Sequence, residues 1–184
     1  LFQIISKLQS LKDLFLLIVQ IYSFVFFLFF HSIEYMKNTI SFNTKFGWIS
    51  ATEINKKITK IQFSKIKANG IITKRLKKVR KNVELYFHGK TKKINASIKI
   101  KGNTLQKKIW YELKKIPKGK TKSYGEIAQK LNISPRLVGR VCGKNQHPLV
   151  IPCHRVIRSD GSLGGFSAPG GLKLKKRLLK FEKN

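Results

Sequence analysis

Between Ser123 and Lys144 the sequence marks the ends of two short helices, and that punctuation constrains the fold more than any other stretch. Ser123 stands three residues before Glu126, the reciprocal pairing that satisfies two orphan N–H groups at a helix start. The apolar face that follows is Tyr124, Ile127, Ala128 and Leu131, after which Asn132 and Ile133 turn the chain. Ser134-Pro135 then offers an N-cap and an N1 proline for a second helix. Its Leu137, Val138 and Val141 point inward and leave Arg136, Arg140 and Lys144 outside. Two short helices joined so tightly, the second one basic, predict a helix-turn-helix.

Many helix pairs of this shape bind nothing, so the charge balance carries weight. Thirty-nine Lys and Arg against eight Asp and Glu give +31 on 184 residues. Such a chain seeks polyanions, meaning nucleic acid or an acidic membrane face. Lys7 and Lys12 offset Asp13 and Glu34, so residues 1–35 are neutral and the whole excess lies in 36–184. A hydrophobic content of 42% supports a core and excludes a disordered basic tail. Two cysteines, Cys142 and Cys153, with no C-x-x-C pair, exclude a disulfide scaffold and a Cys-based zinc site. No metal is expected, and a reducing, cytoplasmic setting is.

The run Leu14–Phe30 has no charged residue and sits at the short limit of the ~20 residues a membrane span needs. A signal peptide lacks support, because His31, Ser32, Ile33 and Glu34 follow the run in place of a small-x-small site. Charge and composition both change at Met36, the single methionine. The expectation for 1–35 is an apolar leader: read-through from AT-rich DNA upstream of a start codon, or else an anchor or signal. Membrane contact follows only if that stretch is expressed.

Residues 36–101 read as a small α/β domain. An apolar-rich segment at Lys45–Ala51, a polar turn at Glu53–Lys57 and the alternation of Thr59, Ile61 and Phe63 predict a hairpin. Leu76, Val79, Val83 and Tyr86 then share one helical face. Ala96, Ile98 and Ile100 alternate as a further strand that Gly102 ends. Trp48 is expected in the core and His88 on the surface. In the second domain, 102–184, a helix marked by Leu105, Ile109 and Leu113 stops before Pro117.

The chemistry gathers after Asn145, in Pro148-Leu149-Val150-Ile151-Pro152-Cys153-His154-Arg155-Val156-Ile157. Proline fixes the local backbone and so aims the next side chain. A neighbouring imidazole could withdraw the thiol proton, and cationic surroundings would stabilise the nucleophilic thiolate. The bland alternative is a buried cysteine beside a hydrogen-bonded histidine. Cys142, between Val141 and Gly143, is read as packing.

Pro152-Cys153-His154-Arg155-Val156 resembles the active-site signature of the O6-alkylguanine-DNA alkyltransferases. Ser123-Tyr124-Gly125-Glu126-Ile127-Ala128, Ser134-Pro135-Arg136-Leu137-Val138-Gly139, Gly161–Ser167 and Leu178-Leu179-Lys180-Phe181-Glu182 resemble the family too. The resemblance runs from about Lys45 to Glu182. It implies an RNase H-like α/β domain, a small antiparallel sheet with a helix, followed by a mainly helical, winged-helix-like domain carrying the DNA-binding helix-turn-helix. It also implies irreversible, single-turnover transfer of an alkyl group from O6 of guanine in double-stranded DNA to Cys153, with nucleotide flipping and no cofactor. O4-alkylthymine is a further candidate substrate, and a monomer is expected.

Residue by residue, the resemblance makes Cys153 the acceptor, His154 and Glu182 the relay that deprotonates it through a water, and Asn145 the hinge that orders the turn. Arg136 is the finger that fills the place of the extruded nucleotide, and Tyr124 contacts base and phosphate. Arg140, Ser123 and Ser134 complete the DNA face. Val156, Gly164, Gly165, Phe166 and Ser167 join Tyr124 around the alkyl pocket. Phe166 stands where tyrosine is frequent, and Leu105 where an aromatic is usual. The sister alkyltransferase-like group replaces the acceptor, commonly by tryptophan; Cys153 is on the reactive side. Two other classes compete: a Cys-His hydrolase using Cys153 and His154, which adjacent residues rarely build, and a non-enzymatic DNA-binding regulator using residues 123–144.

Overall fold

A computed structural model describes residues 11–34 and 37–183. The chain divides into two compact units, Leu1–Met36 and Lys37–Asn184. The first unit contains helix α1 (Leu11–Glu34), whose Phe15, Leu16, Tyr22, Phe24 and Phe26 are exposed. Among the described residues no helix is long and apolar enough to cross a membrane. Met36, where the composition changes, lies outside the described residues, as do residues 1–10.

The second unit opens with an antiparallel sheet in the order β1 (Lys37–Thr44), β2 (Gly47–Ile54), β3 (Lys57–Gln62). Asn55 and Lys56 join β2 to β3 at φ 50° and 58°, the positive pair of a type I′ turn whose twist suits paired strands. The expected hairpin is therefore present, and β1 adds a strand that the sequence reading lacked. Its signal is hidden because polar Asn38 and Thr39 are buried in it, the latter with its hydroxyl 3.2 Å from that of Thr52. Trp48 is a correction. It is 39% exposed at the open end of the hairpin, where its ring lies under the Lys65 ammonium at 4.6 Å.

Helix α2 (Lys74–Phe87) begins at Thr73, whose hydroxyl accepts from Leu76 N. It lays Leu76, Val79, Val83, Tyr86 and Phe87 into the core cluster that includes Ile40, Ile49, Ile58 and Ile61 of the sheet. The strand expected from Ala96 to Ile100 is a second correction: residue 98 makes one parallel bridge with Ile58 and no ladder follows. The physical reason lies on the outer edge of β3. Further along it, Ile61 N donates to Gln146 O at 2.9 Å, so a loop from the second half of the chain occupies the positions a strand would need. On the other side of the sheet, Thr39 and Asn69 exchange backbone bonds of 2.8 and 3.2 Å beside β1.

The second half follows its punctuation. Helix α3 (Thr104–Lys115) starts in a reciprocal box of Asn103 and Gln106, and its Trp110 Nε1 donates to Val141 O at 3.1 Å. A short strand β4 (Lys122–Ser123) leads into α4 (Tyr124–Leu131), and Asn132 in the left-handed region (φ 51°) turns the chain. Ser134 caps and Pro135 begins α5 (Pro135–Gly143). A single 3-10 turn spans Cys153–Arg155, β5 (Val156–Ile157) pairs parallel with β4, and α6 (Gly171–Lys183) ends the described chain. A second cluster joins Ile109, Leu113, Ile127, Val138, Val141 and Ile151. Leu113, fully buried there, is expected to cost about 2–5 kcal/mol on replacement by alanine. Urea unfolding checks this against Trp48→Ala, expected to stay within about 1 kcal/mol.

Candidate active site

Cys153 opens the 3-10 turn with its side chain almost fully buried (6% exposed) at the wall of a cavity of about 640 Å³. The turn is held from one side by Asn145, whose Nδ2 donates to Ile151 O at 2.8 Å and to Cys153 Sγ at 3.2 Å. Asn145 Oδ1 accepts from His147 N at 2.9 Å, so one amide fixes both arms of the loop. Burial pushes the Cys153 thiol up from its ordinary value, against the lowering effect of the Asn145 bond and of the Lys175 charge. The charge of Lys175 favours the thiolate, as cationic surroundings should, but it is the smaller effect. Desolvation outweighs it, and the thiol needs a base to give up its proton.

The next residue of the turn is a buried histidine. His154 Nε2 lies 2.5 Å from Glu182 Oε1, both side chains fully buried. Glu182 also accepts from Arg155 Nε at 2.8 Å, from Arg155 Nη2 at 3.1 Å and from the Tyr86 hydroxyl. Burial alone would raise the Glu182 carboxyl, but its bonds and charges with His154 and Arg155 prevail and bring it down to about 2. An ionised carboxylate only accepts, so His154 donates from Nε2. Burial lowers the His154 pKa, against the raising effect of its bond and charge interaction with Glu182. Its Nδ1 is buried and has no hydrogen-bond partner among the described residues.

The cavity brings together Tyr124, Arg136, Cys153, Gly164, Gly165, Phe166 and Ser167. Tyr124 lies against Gly164, which at φ +63° has no room for a side chain: a Cβ there would meet the ring at 2.9 Å. Burial, with the two nearby thiols, pushes the Tyr124 phenol up to about 12, so it holds its proton at neutral pH. Cys142, read as packing, is buried and also reaches the cavity wall. Val156 and Arg140 are outside the lining: Val156 is buried and Arg140 is exposed on α5. The Ser123 and Ser134 hydroxyls cap helices, accepting from Glu126 N at 3.0 Å and Leu137 N at 3.3 Å.

Sequence reasoning missed three residues here. Arg155 lies inside the quoted signature, and an arginine amid Val150–Val156 was a signal of a buried partner. Tyr86 was read only as an apolar face. Lys175, fully buried, donates to the carbonyls of Val156 (2.6 Å), Leu163 and Gly165 (3.4 Å), tying the pocket loop to β5. Burial lowers its pKa to about 8. Its place beside Leu174 and Leu178 on the inner face of α6 was the available clue. Among the described residues no group of acidic, Cys and His side chains is placed to hold a metal.

Residues 104–184 match the family model of the 6-O-methylguanine DNA methyltransferase DNA-binding domain. A methylated-DNA–protein-cysteine methyltransferase of Sulfolobus acidocaldarius is 44% identical over 97 residues, 53% of this chain and 61% of that protein. One of Methanosarcina mazei is 38% identical over 110 residues, 59% of this chain and 68% of that protein. The chain thus spans about two thirds of the length of these curated relatives. The crystal structure of Mycobacterium tuberculosis OGT in complex with DNA superposes with a TM-score of 0.69 at 27% identity, covering 79% of this chain and 92% of that one.

The Glu182 network sets a pH test. Because the folded-state pKa lies below the ordinary carboxylate value of 4.5, its contribution is full above that value and is lost as pH falls toward about 2. Stability is expected to drop across that window. In Glu182→Gln the protein is less stable at pH 7 and this acid-side loss shrinks, as measured by urea unfolding at each pH.

Proposed function

The chain belongs to the O6-methylguanine-DNA methyltransferase family, and on that premise we propose that it repairs DNA by moving the alkyl group from O6 of guanine onto its own Cys153, once per molecule. The observation that carries this reading is the thiol at the cavity wall with Asn145 on its sulfur and the buried His154–Glu182 pair behind it. The thiol proton passes to His154 Nδ1 through a bridging water. The sulfur lone pair then forms the S–C bond as the C–O6 bond breaks, and its electrons stay with the guanine. Tyr124 holds a phenolic proton in the same cavity and serves the departing base as donor. The product is a thioether with no path back, which accounts for a single turnover.

A thiol cannot reach O6 inside a stacked duplex, so the nucleotide is turned out at a cost of a few kcal/mol. Arg136, exposed on the first turn of α5 and at the cavity rim, takes the vacated place in the stack. Arg140 and the N-terminal ends of α4 and α5, with Ser123 and Ser134, hold phosphates without reading sequence. Val156 backs the pocket through its carbonyl bond to Lys175. We read 36–101 as an RNase H-like domain and 102–184 as a winged-helix-like one. The protein acts as a cytoplasmic monomer without a cofactor, and O4-alkylthymine is a second candidate substrate.

With labelled O6-methylguanine duplex, wild type is expected to take up one label per molecule, Cys142→Ala likewise, and Cys153→Ala none. Multiple turnovers, or label on another residue, would overturn the mechanism. Arg136→Ala is expected to slow transfer from duplex about tenfold or more, the share of a flipping cost of a few kcal/mol. Transfer from single-stranded oligonucleotide, which needs no extrusion, should change little.

A further inference from the structure

Helix α2 carries a feature that the alkyl-transfer reading does not use. Lys74, Lys77, Lys78 and Lys81 fall at i, i+3, i+4 and i+7, one stripe of about 10 Å at 1.5 Å per residue. All four are exposed. At 100° per residue the stripe is centred opposite the buried face of Leu76, Val79, Val83 and Tyr86. Tyr86 bonds Glu182, which bonds His154 beside the thiol, so the stripe points away from the reacting sulfur.

The placement is costly for an isolated helix. Neighbouring like charges at i+3 and i+4 repel, and cations in the first turn oppose the helix dipole. Helix α2 has no acid in its first turn and no cation in its last, the reverse of what the dipole favours. Its one acid, Glu84, is engaged by Arg80 at 2.8 Å, and Arg75 is turned to Glu53. Among the described residues the structure shows no ion pair for the four lysines. Lysine bias in composition accounts for many surface cations but not for their alignment on one stripe where they repel.

We propose that this stripe is a second, sequence-independent contact for duplex DNA, binding a segment other than the one whose base enters the cavity. Lysine suits the task, as a point charge on a flexible stem that meets phosphates in many orientations. A second grip lets the protein hold a neighbouring segment while it samples the first. The inference goes beyond the alkyl-transfer reading and is tested without it.

Sedimentation of the full chain with excess undamaged 12-base-pair duplex at low salt is expected to show two duplexes per protein. The variant K74Q/K77Q/K78Q/K81Q should bind one, transfer alkyl groups from a short lesion duplex at the wild-type rate, and melt no lower than wild type. The second site should weaken about tenfold between 100 and 200 mM salt, the slope of four released counterions. One duplex on wild type, or two on the variant, overturns the proposal. So does the same loss in a control with Lys92, Lys93, Lys107 and Lys108 changed to glutamine, which would assign the effect to net charge. The exposed Ile71 and Ile72 adjoin the stripe. Stripe-dependent binding to phosphatidylserine vesicles with no second duplex would replace DNA by a membrane and overturn it equally.

Discussion

A single carboxylate inside the protein, that of Glu182, receives a guanidinium, an imidazole and a phenol. A buried charge is tolerable only when its partners and hydrogen bonds replace the water it has lost, and here charge and partners come together from three distant stretches of chain. Tyr86 arrives on α2, His154 and Arg155 on the 3-10 turn, Glu182 on α6. Arg155 also donates to Ile116 O at 2.5 Å, which brings in the end of α3. Removing one partner leaves the others desolvated and unpaired. The acid–base behaviour of the site and one tie between the two hydrophobic clusters thus rest on the same few atoms, while Ile98 and Phe166 pack against both clusters.

The arrangement separates two demands that pull apart. A thiol that is to act once, as proposed, is best kept protonated until substrate arrives, and burial favours that form. It must also find a base when needed, the part proposed for the imidazole that Glu182 orients. Asn145 fixes the geometry between them by holding sulfur and loop together. Lys175 does the equivalent for the pocket loop, since its ammonium gathers carbonyls that would otherwise lie unpaired beside the cavity.

Local punctuation made the second half legible. The Ser123–Glu126 box, Asn132 in the left-handed region and Ser134-Pro135 each act within a few residues, so their positions could be read from the chain. The acceptor, its histidine and the asparagine came from a family resemblance resting on contiguous motifs. What stayed hidden depends on distant partners. Strand β1 buries polar residues because β2 and a loop satisfy them. The strand at Ala96–Ile100 fails because residue 146 already holds Ile61. Trp48 looks like core until one knows that the open end of the hairpin meets a lysine, Lys65, rather than an apolar layer. Tyr86, Arg155 and Lys175 gain their roles only when α2, the 3-10 turn and α6 converge.

The bonds of Asn69 to β1, and of residues 97, 99 and 146 to β3, have a meaning for the molecule among its own copies. A small sheet with bare sides offers rows of N–H and C=O groups on which another chain can add as a strand. Here irregular segments stop both sides, and each stops one by pairing with a few positions only. A loop that shapes the catalytic turn on one side thus guards the sheet on the other. Copies of the molecule that come close together thus meet sheet sides already held by their own chain.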